Sequence, residues 1–278
     1  LVDRRGHDVY WSHHASQGIG GPRGVGVLFD QSGDDFYRAY GPSGSVYGTP
    51  ATFYGLSQGV GFGFRGYDTG GIGILKDTGG ADRYEAGEFS QGGGYFWSFG
   101  ILEDGSGNDL YFGDRYAQGF GVHQALGVLR DHNGDDVYFG RAAANQGAAW
   151  DIAMGLLMDD AGNDAYRIDG LGQGGAANQG IAWLIDWQGQ DLYTARDWRT
   201  DVQGESGENT YHFEKTGVQS WSMLLDAGGS EDIYSKTRPN GQTVIRGIYD
   251  LQTPAKSREF GLFIDTPEQL ILPALPEQ

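Results

Sequence analysis

Residues 102–111 read LEDGSGNDLY and residues 129–138 read LRDHNGDDVY. The same frame, Leu-x-Asp-x-x-Gly-x-Asp-x-Tyr, recurs eight times in the 278-residue chain, once with an extra residue between the two aspartates. Its first aspartates are Asp3, Asp30, Asp77, Asp104, Asp131, Asp159, Asp186 and Asp226, separated by 27, 47, 27, 27, 28, 27 and 40 residues. The 47- and 40-residue steps are insertions in a 27-residue period. A Gln-Gly pair recurs fourteen or fifteen residues after the first Asp, at Gln17, Gln91, Gln118, Gln146 and Gln173, and late at Gln58 where residues are inserted. A fixed period of this size means that each unit is one supersecondary piece, which buries its apolar face only by stacking on copies of itself.

The unit is a coil of strands. Fifty glycines, concentrated inside the repeat, would each cost a helix roughly 0.5–1 kcal/mol relative to alanine, and no segment shows a helical period. Leu1, Leu28, Leu75, Leu102, Leu129, Leu157, Leu184 and Leu224 hold the position two before the first Asp and are expected to point inward. The Asp-x-x-Gly segment is a turn, in which Asp can bond its own backbone two residues on. The second Asp and the Tyr two residues later share a strand face, and a third strand follows Gln-Gly. The expected fold is all-β: a parallel β-helix, or β-solenoid, of about eight rungs, right-handed by default. Residues 1–245 form the repeat domain, with insertions near 38–64 and 197–219, and residues 246–278 form a C-terminal cap. Within the cap, Gly261 to Asp265 imitates the opening of a unit.

At 38% hydrophobic and 13% aromatic residues, the chain can bury a long, thin core. It has no cysteine, which excludes disulfides and thiolate metal sites. No run of 18 apolar residues exists, so no membrane span is expected. A net charge of −18 without a basic patch excludes nucleic acid as an expected partner. There is no nucleophile elbow, zincin motif or phosphate-binding loop. The chain starts at Leu1 inside a unit, which suggests a removed export signal, or an upstream domain or subunit meeting that end.

The eight frames contribute sixteen Asp. In a parallel stack, equivalent carboxylates lie about 5 Å apart, and at an effective dielectric near 20 each neighbouring pair repels by about 3 kcal/mol. Turn amides or cations must offset that ladder. Paired carboxylates and turn carbonyls are the hard oxygen ligands that calcium takes. Asp30, Asp35, Asp77, Asp82, Asp104, Asp109, Asp131, Asp136, Asp159, Asp164, Asp186 and Asp191 are therefore candidate Ca²⁺ ligands, the second of each pair being the better placed. On the alternative reading, the first Asp caps its turn and the second bonds amides of the neighbouring rung. The Gln-Gly glutamines read as a structural amide ladder.

The segments GSGNDLYFG at 105–113, NGDDVYFG at 133–140 and AGNDAY at 161–166 resemble the Gly-rich nonapeptide of haemolysin-type (RTX) calcium-binding β-rolls. The resemblance implies that Asp35, Asp82, Asp109, Asp136, Asp164 and Asp191 bind calcium shared between neighbouring turns, with Tyr in the inward position. It is confined to the turn: that family repeats every nine residues, while here the double glycine is mostly missing and an extra Asp precedes the turn.

Insertions are where a solenoid carries specific function. The first brings Tyr40, Tyr47, Phe53 and Tyr54 together, rings that suit sugar stacking or a loop folded back over its own rung. In the second, Gly204, Gly207, Asn209 and Tyr211 read as a decayed unit, with Asp197, Trp198, Arg199, Asp201 and Glu205 beside it. Tyr40, Tyr47, Tyr54, Trp198 and Arg199 are the candidate ligand-binding residues. Histidines share no repeat position, and no catalytic residue is assigned. The composite expectation is an exported protein, extracellular, cell-surface or periplasmic, that binds calcium and has a structural or adhesive role. Its partner would be a cell-surface or matrix component such as a polysaccharide. The alternative is a carbohydrate-active β-helix, a lyase, hydrolase or glycan-binding module, working beside the inserted loops.

Overall fold

The structure, a computed structural model, describes residues 1–196, 202–207, 217–229, 231–235, 240–246 and 261–268. These residues form 24 strands and no helix, and nearly all the strands are parallel and stacked unit upon unit. The strand ahead of each first Asp builds a nine-stranded sheet: Val25–Phe29, Ile72–Lys76, Phe99–Glu103, Leu126–Asp131, Met154–Asp159, Ile181–Asp186 and Trp221–Ala227, followed by Gly261–Thr266 and Thr243–Arg246. The tyrosine strands, from Val9–Ser12 to Ile233–Tyr234, form an eight-stranded sheet. The short strands after Gln-Gly, from Gly61–Phe62 to Ala176–Ala177, form a five-stranded one.

The first sheet is in register throughout. Leu28, Leu75, Leu102, Leu129, Leu157, Leu184 and Leu224 face their counterparts one by one, and all are buried. Each contributes roughly 1.5–3 kcal/mol of burial. Leu1 departs from the expectation: it is 69% exposed, because the outermost unit has a neighbour on one side only. At the other end, Gly261–Thr266 pairs parallel with the last unit, placing Phe263 in the leucine row and Asp265 in the aspartate row. Thr243–Arg246 then pairs antiparallel and closes that edge.

Tyr10, Tyr37, Tyr84, Tyr111, Tyr138, Tyr166, Tyr193 and Tyr234 stack with ring centroids 4.8–5.0 Å apart and planes within 10°. They and the leucines form one continuous core. The glycines serve a different contact, because the third sheet lies against the leucine sheet backbone to backbone. A Cβ on Gly119, whose φ is +77°, would sit 1.8 Å from the Leu156 carbonyl oxygen, and one on Gly127 would sit 1.9 Å from that of Phe120. A second core, around Leu56, Phe89, Tyr116, Phe120 and Leu171, packs beside the third sheet.

Two local readings are corrected. Gln203-Gly204 is the Gln-Gly corner of its unit, with Gln203 donating to the Tyr193 carbonyl at 3.2 Å and Gly204 N–H bonding the Gln173 carbonyl. Gly204 is therefore not a vestige of a first Asp; the insertion lengthens the path between Tyr193 and Gln203. The glutamines also form no ladder with one another. Gln118 Nε2 donates to the carbonyls of Tyr111, 2.9 Å, and Phe139, 3.1 Å, bridging two units, and the other corner glutamines except Gln203 repeat that bridge.

Candidate metal centre

From Asp30 to Asp186 the first Asp of each unit is held at both oxygens, whereas Oδ1 of Asp226 is buried without a hydrogen-bond partner. Asp104 Oδ1 accepts the Ser106 N–H at 3.1 Å, the turn-capping bond that the Asp-x-x-Gly frame implies. Its Oδ2 accepts the hydroxyl of Tyr84, from the unit before, at 2.5 Å. The pattern repeats at Asp77, Asp131, Asp159 and Asp186, with Tyr37, Tyr111, Tyr138 and Tyr166 as donors at 2.6–2.8 Å. Burial pushes the inner phenols well above their ordinary range, so each stays a donor. The pattern breaks at the 40-residue insertion, where Tyr193 turns back to Asp186 of its own unit at 3.2 Å.

The second Asp is held on one side only. Asp109 Oδ1 accepts the Asp82 N–H at 2.6 Å, and Asp109 in turn donates its N–H to Asp136 Oδ1 at 2.7 Å. One chain of such bonds runs from Asp8 through Asp35, Asp82, Asp109, Asp136, Asp164 and Asp191 to Asp232. The other oxygen, Oδ2, of every member from Asp35 to Asp232 is buried without a hydrogen-bond partner. Native interiors rarely leave such groups unmet, and for a charged group the penalty is larger still.

Carboxylate oxygens of the two rows converge. One carboxylate oxygen each from Asp77, Asp82 and Asp104 lies within 4.8 Å of the other two, and the same holds for Asp30, Asp35 and Asp77, for Asp104, Asp109 and Asp131, and for Asp136, Asp159 and Asp164. All of these residues are buried. Burial, reinforced by neighbouring carboxylates, pushes Asp82 and Asp136 up to about 9 and Asp109 and Asp164 up to about 10. Asp35, near the open end of the stack, rises only to about 6. Asp104 and Asp159 rise to about 8. A row so arranged has two chemical states at neutral pH: carboxyls that keep protons, or carboxylates whose charge a bound cation offsets.

The candidate ligand-binding residues of the first insertion do not share one site. Tyr40 hydrogen-bonds Asp114 at 3.2 Å and packs on Phe53 and Phe112. Tyr54 packs edge-on against Phe89, in the strand paired with Glu88–Ser90. Tyr47 is half-exposed, 5.6 Å from the Tyr116 ring. The insertion thus folds back over its own units, held by Ser45 and Val46 on the buried carboxylate of Glu88 and by the Phe53 N–H on Asp114. Trp198 and Arg199 lie outside the described residues, as do Asp197, Asp201, Asn209 and Tyr211.

One pair is not evident from the histidine positions alone. His123 Nδ1 lies 2.7 Å from Asp151 Oδ2, and both side chains are nearly buried. The two residues sit five places after Gln118 and Gln146, the same position in successive units, which is the signal that pairs them.

Comparison with protein-family models, curated proteins and solved structures found no match. Among the described residues, no helix is long and apolar enough to cross a membrane.

Proposed function

We propose that the chain is a calcium-binding β-solenoid with a structural or adhesive role outside the cell, a right-handed stack of eight units whose acidic turns take ions between neighbouring rungs. The observation that carries this reading is the row of buried, unpartnered Oδ2 atoms from Asp35 to Asp232. Oxygen spacings up to 4.8 Å suit calcium, whose bonds of about 2.4 Å place opposite ligands about 4.8 Å apart. Asp82, with Asp77 and Asp104, would hold one ion, and Asp109, with Asp104 and Asp131, the next. Turn carbonyls and water would complete a shell of about 6–8 oxygens. Such an ion offsets the repulsion along both rows and ties adjacent units together. The resemblance of the turns to haemolysin-type repeats supports the choice of calcium, which extracellular modules bind at about 10⁻⁴–10⁻³ M.

The test is thermal unfolding of exhaustively chelated protein, followed by circular dichroism, with calcium or magnesium added back. At 100 times Kd each independent site adds about 2.7 kcal/mol, so several sites give a large, calcium-selective rise in Tm. An unchanged melt, with no metal retained in elemental analysis, removes the ions and leaves the rows as turn architecture.

A further inference from the structure

The outer face of the first sheet is apolar across seven of its strands. Leu28 and its counterparts point inward, so the residues one and three places before each of them point outward. From Val25 and Val27 to Trp221 and Met223, those fourteen positions are all Val, Ile, Leu, Met, Phe or Trp, held in register from strand to strand. Beside them, Trp97 and Ile152 stand on a shelf at the corner with the third sheet. This shelf and the row from Val25 to Trp221 line a groove of about 1040 Å³. Val25 is 67% exposed and Trp97 58%. Among the described residues that line the groove, Arg23 alone is charged, and it is paired with Asp68 at 2.9 Å. So large an apolar patch on a chain of net charge −18 marks an interaction surface. We propose that two copies of the chain pack through it, sheet against sheet, about a twofold axis.

Pitch, size and charge favour a second copy over other partners. Side chains of one row stand about 4.8 Å apart along the stack, and an identical sheet offers the same spacing. Two such faces interleave over seven units at the usual sheet-to-sheet distance of about 10 Å. A twofold axis closes the contact, so that it ends at the dimer. Seven strands span about 30 Å, and the two rows with their shelf about 20 Å. The patch is therefore about 600 Å² per copy, close to the roughly 800 Å² of a standard interface. One border is polar and already paired, Lys76 with Glu103 at 2.9 Å and Arg130 with Asp160 at 2.8 Å, as in the rim around an interface core. Elsewhere two chains of this charge repel, and the apolar face is where they approach at least electrostatic cost.

The test is sedimentation equilibrium of the intact chain in millimolar calcium over a range of concentrations. The parent should be a dimer with micromolar or tighter Kd. Ile72→Lys places a charge on the face of each copy, and Trp97→Ser removes an exposed ring from the shelf. Each should raise the dimer Kd by roughly tenfold or more while leaving circular dichroism unchanged. The Trp97 ring lies outside the core, so that variant keeps the test valid where Ile72→Lys disturbs folding. A chain still monomeric at about 100 µM, or a dimer that Trp97→Ser leaves unaltered, overturns the proposal. A monomer that dimerises once residues 269–278 are removed overturns it too, and assigns the face to the chain's own end.

Discussion

The hydroxyl of Tyr111 hydrogen-bonds Asp131 Oδ2, 2.6 Å away and one unit further along the stack. The same ring stacks 4.8 Å from Tyr138, so one side chain links the core to the turn row. Tyr111→Phe keeps the stacked ring and removes the donor, leaving a buried carboxylate oxygen unmet. It should destabilise the fold by about 1–3 kcal/mol, read as a lower denaturation midpoint with an unchanged slope.

Gly119→Ala places a methyl group against the Leu156 carbonyl at a φ of +77°. Crowding and backbone strain together should cost more than about 3 kcal/mol. Gly21→Ala is the control, since nothing lies within 4 Å of its Cβ position, and its midpoint should stay close to that of the parent chain.

Asp109→Asn keeps an acceptor for the Asp82 N–H and replaces the unpartnered Oδ2 with a neutral donor amid carboxylates. Chelated protein carrying it should melt at or above the temperature of the parent. Its calcium-induced rise should be smaller, since one ligand set has lost its charge. A calcium response equal to the parent's would detach Asp109 from any ion.

The pH dependence follows from the raised carboxyls. Asp82, Asp109, Asp136 and Asp164 titrate at about 9 to 10 when folded, against about 3.9 for Asp in an unfolded chain. Between those values the folded state holds protons that the unfolded state has released, so stability falls as pH rises. Without calcium, these groups contribute full stability below about pH 4, and that contribution is lost through pH 9–10. Calcium needs the carboxylate form, so its binding should release protons and its affinity should rise over the same window. Melting temperatures from pH 5 to 9, with chelator and with calcium, check both slopes.

The leucine and tyrosine rows are legible in the sequence because parallel stacking turns an identical residue at a fixed period into a spatial column. The Phe263 strand is legible for the same reason. Which carboxylate oxygen is met and which is left bare is not legible, because that depends on how far each turn swings Asp104 toward Tyr84 and Asp109 toward Asp82. Composition points to many glycines but not to their reason, since the contact of Gly119 with Leu156 exists only once two sheets meet. Gln203 is masked by spacing: it lies ten residues after Tyr193, whereas Gln118 lies seven after Tyr111. His123 and Asp151 escape notice because they share a position without sharing an identity.

The central claim is that cations sit between the second aspartates of successive units. Anomalous diffraction from crystals grown in millimolar calcium tests it most directly. The account predicts a column of anomalous peaks bonded to the Oδ2 atoms of Asp82, Asp109, Asp136 and Asp164. A map without such peaks, in which those oxygens meet only protons or water, would contradict it.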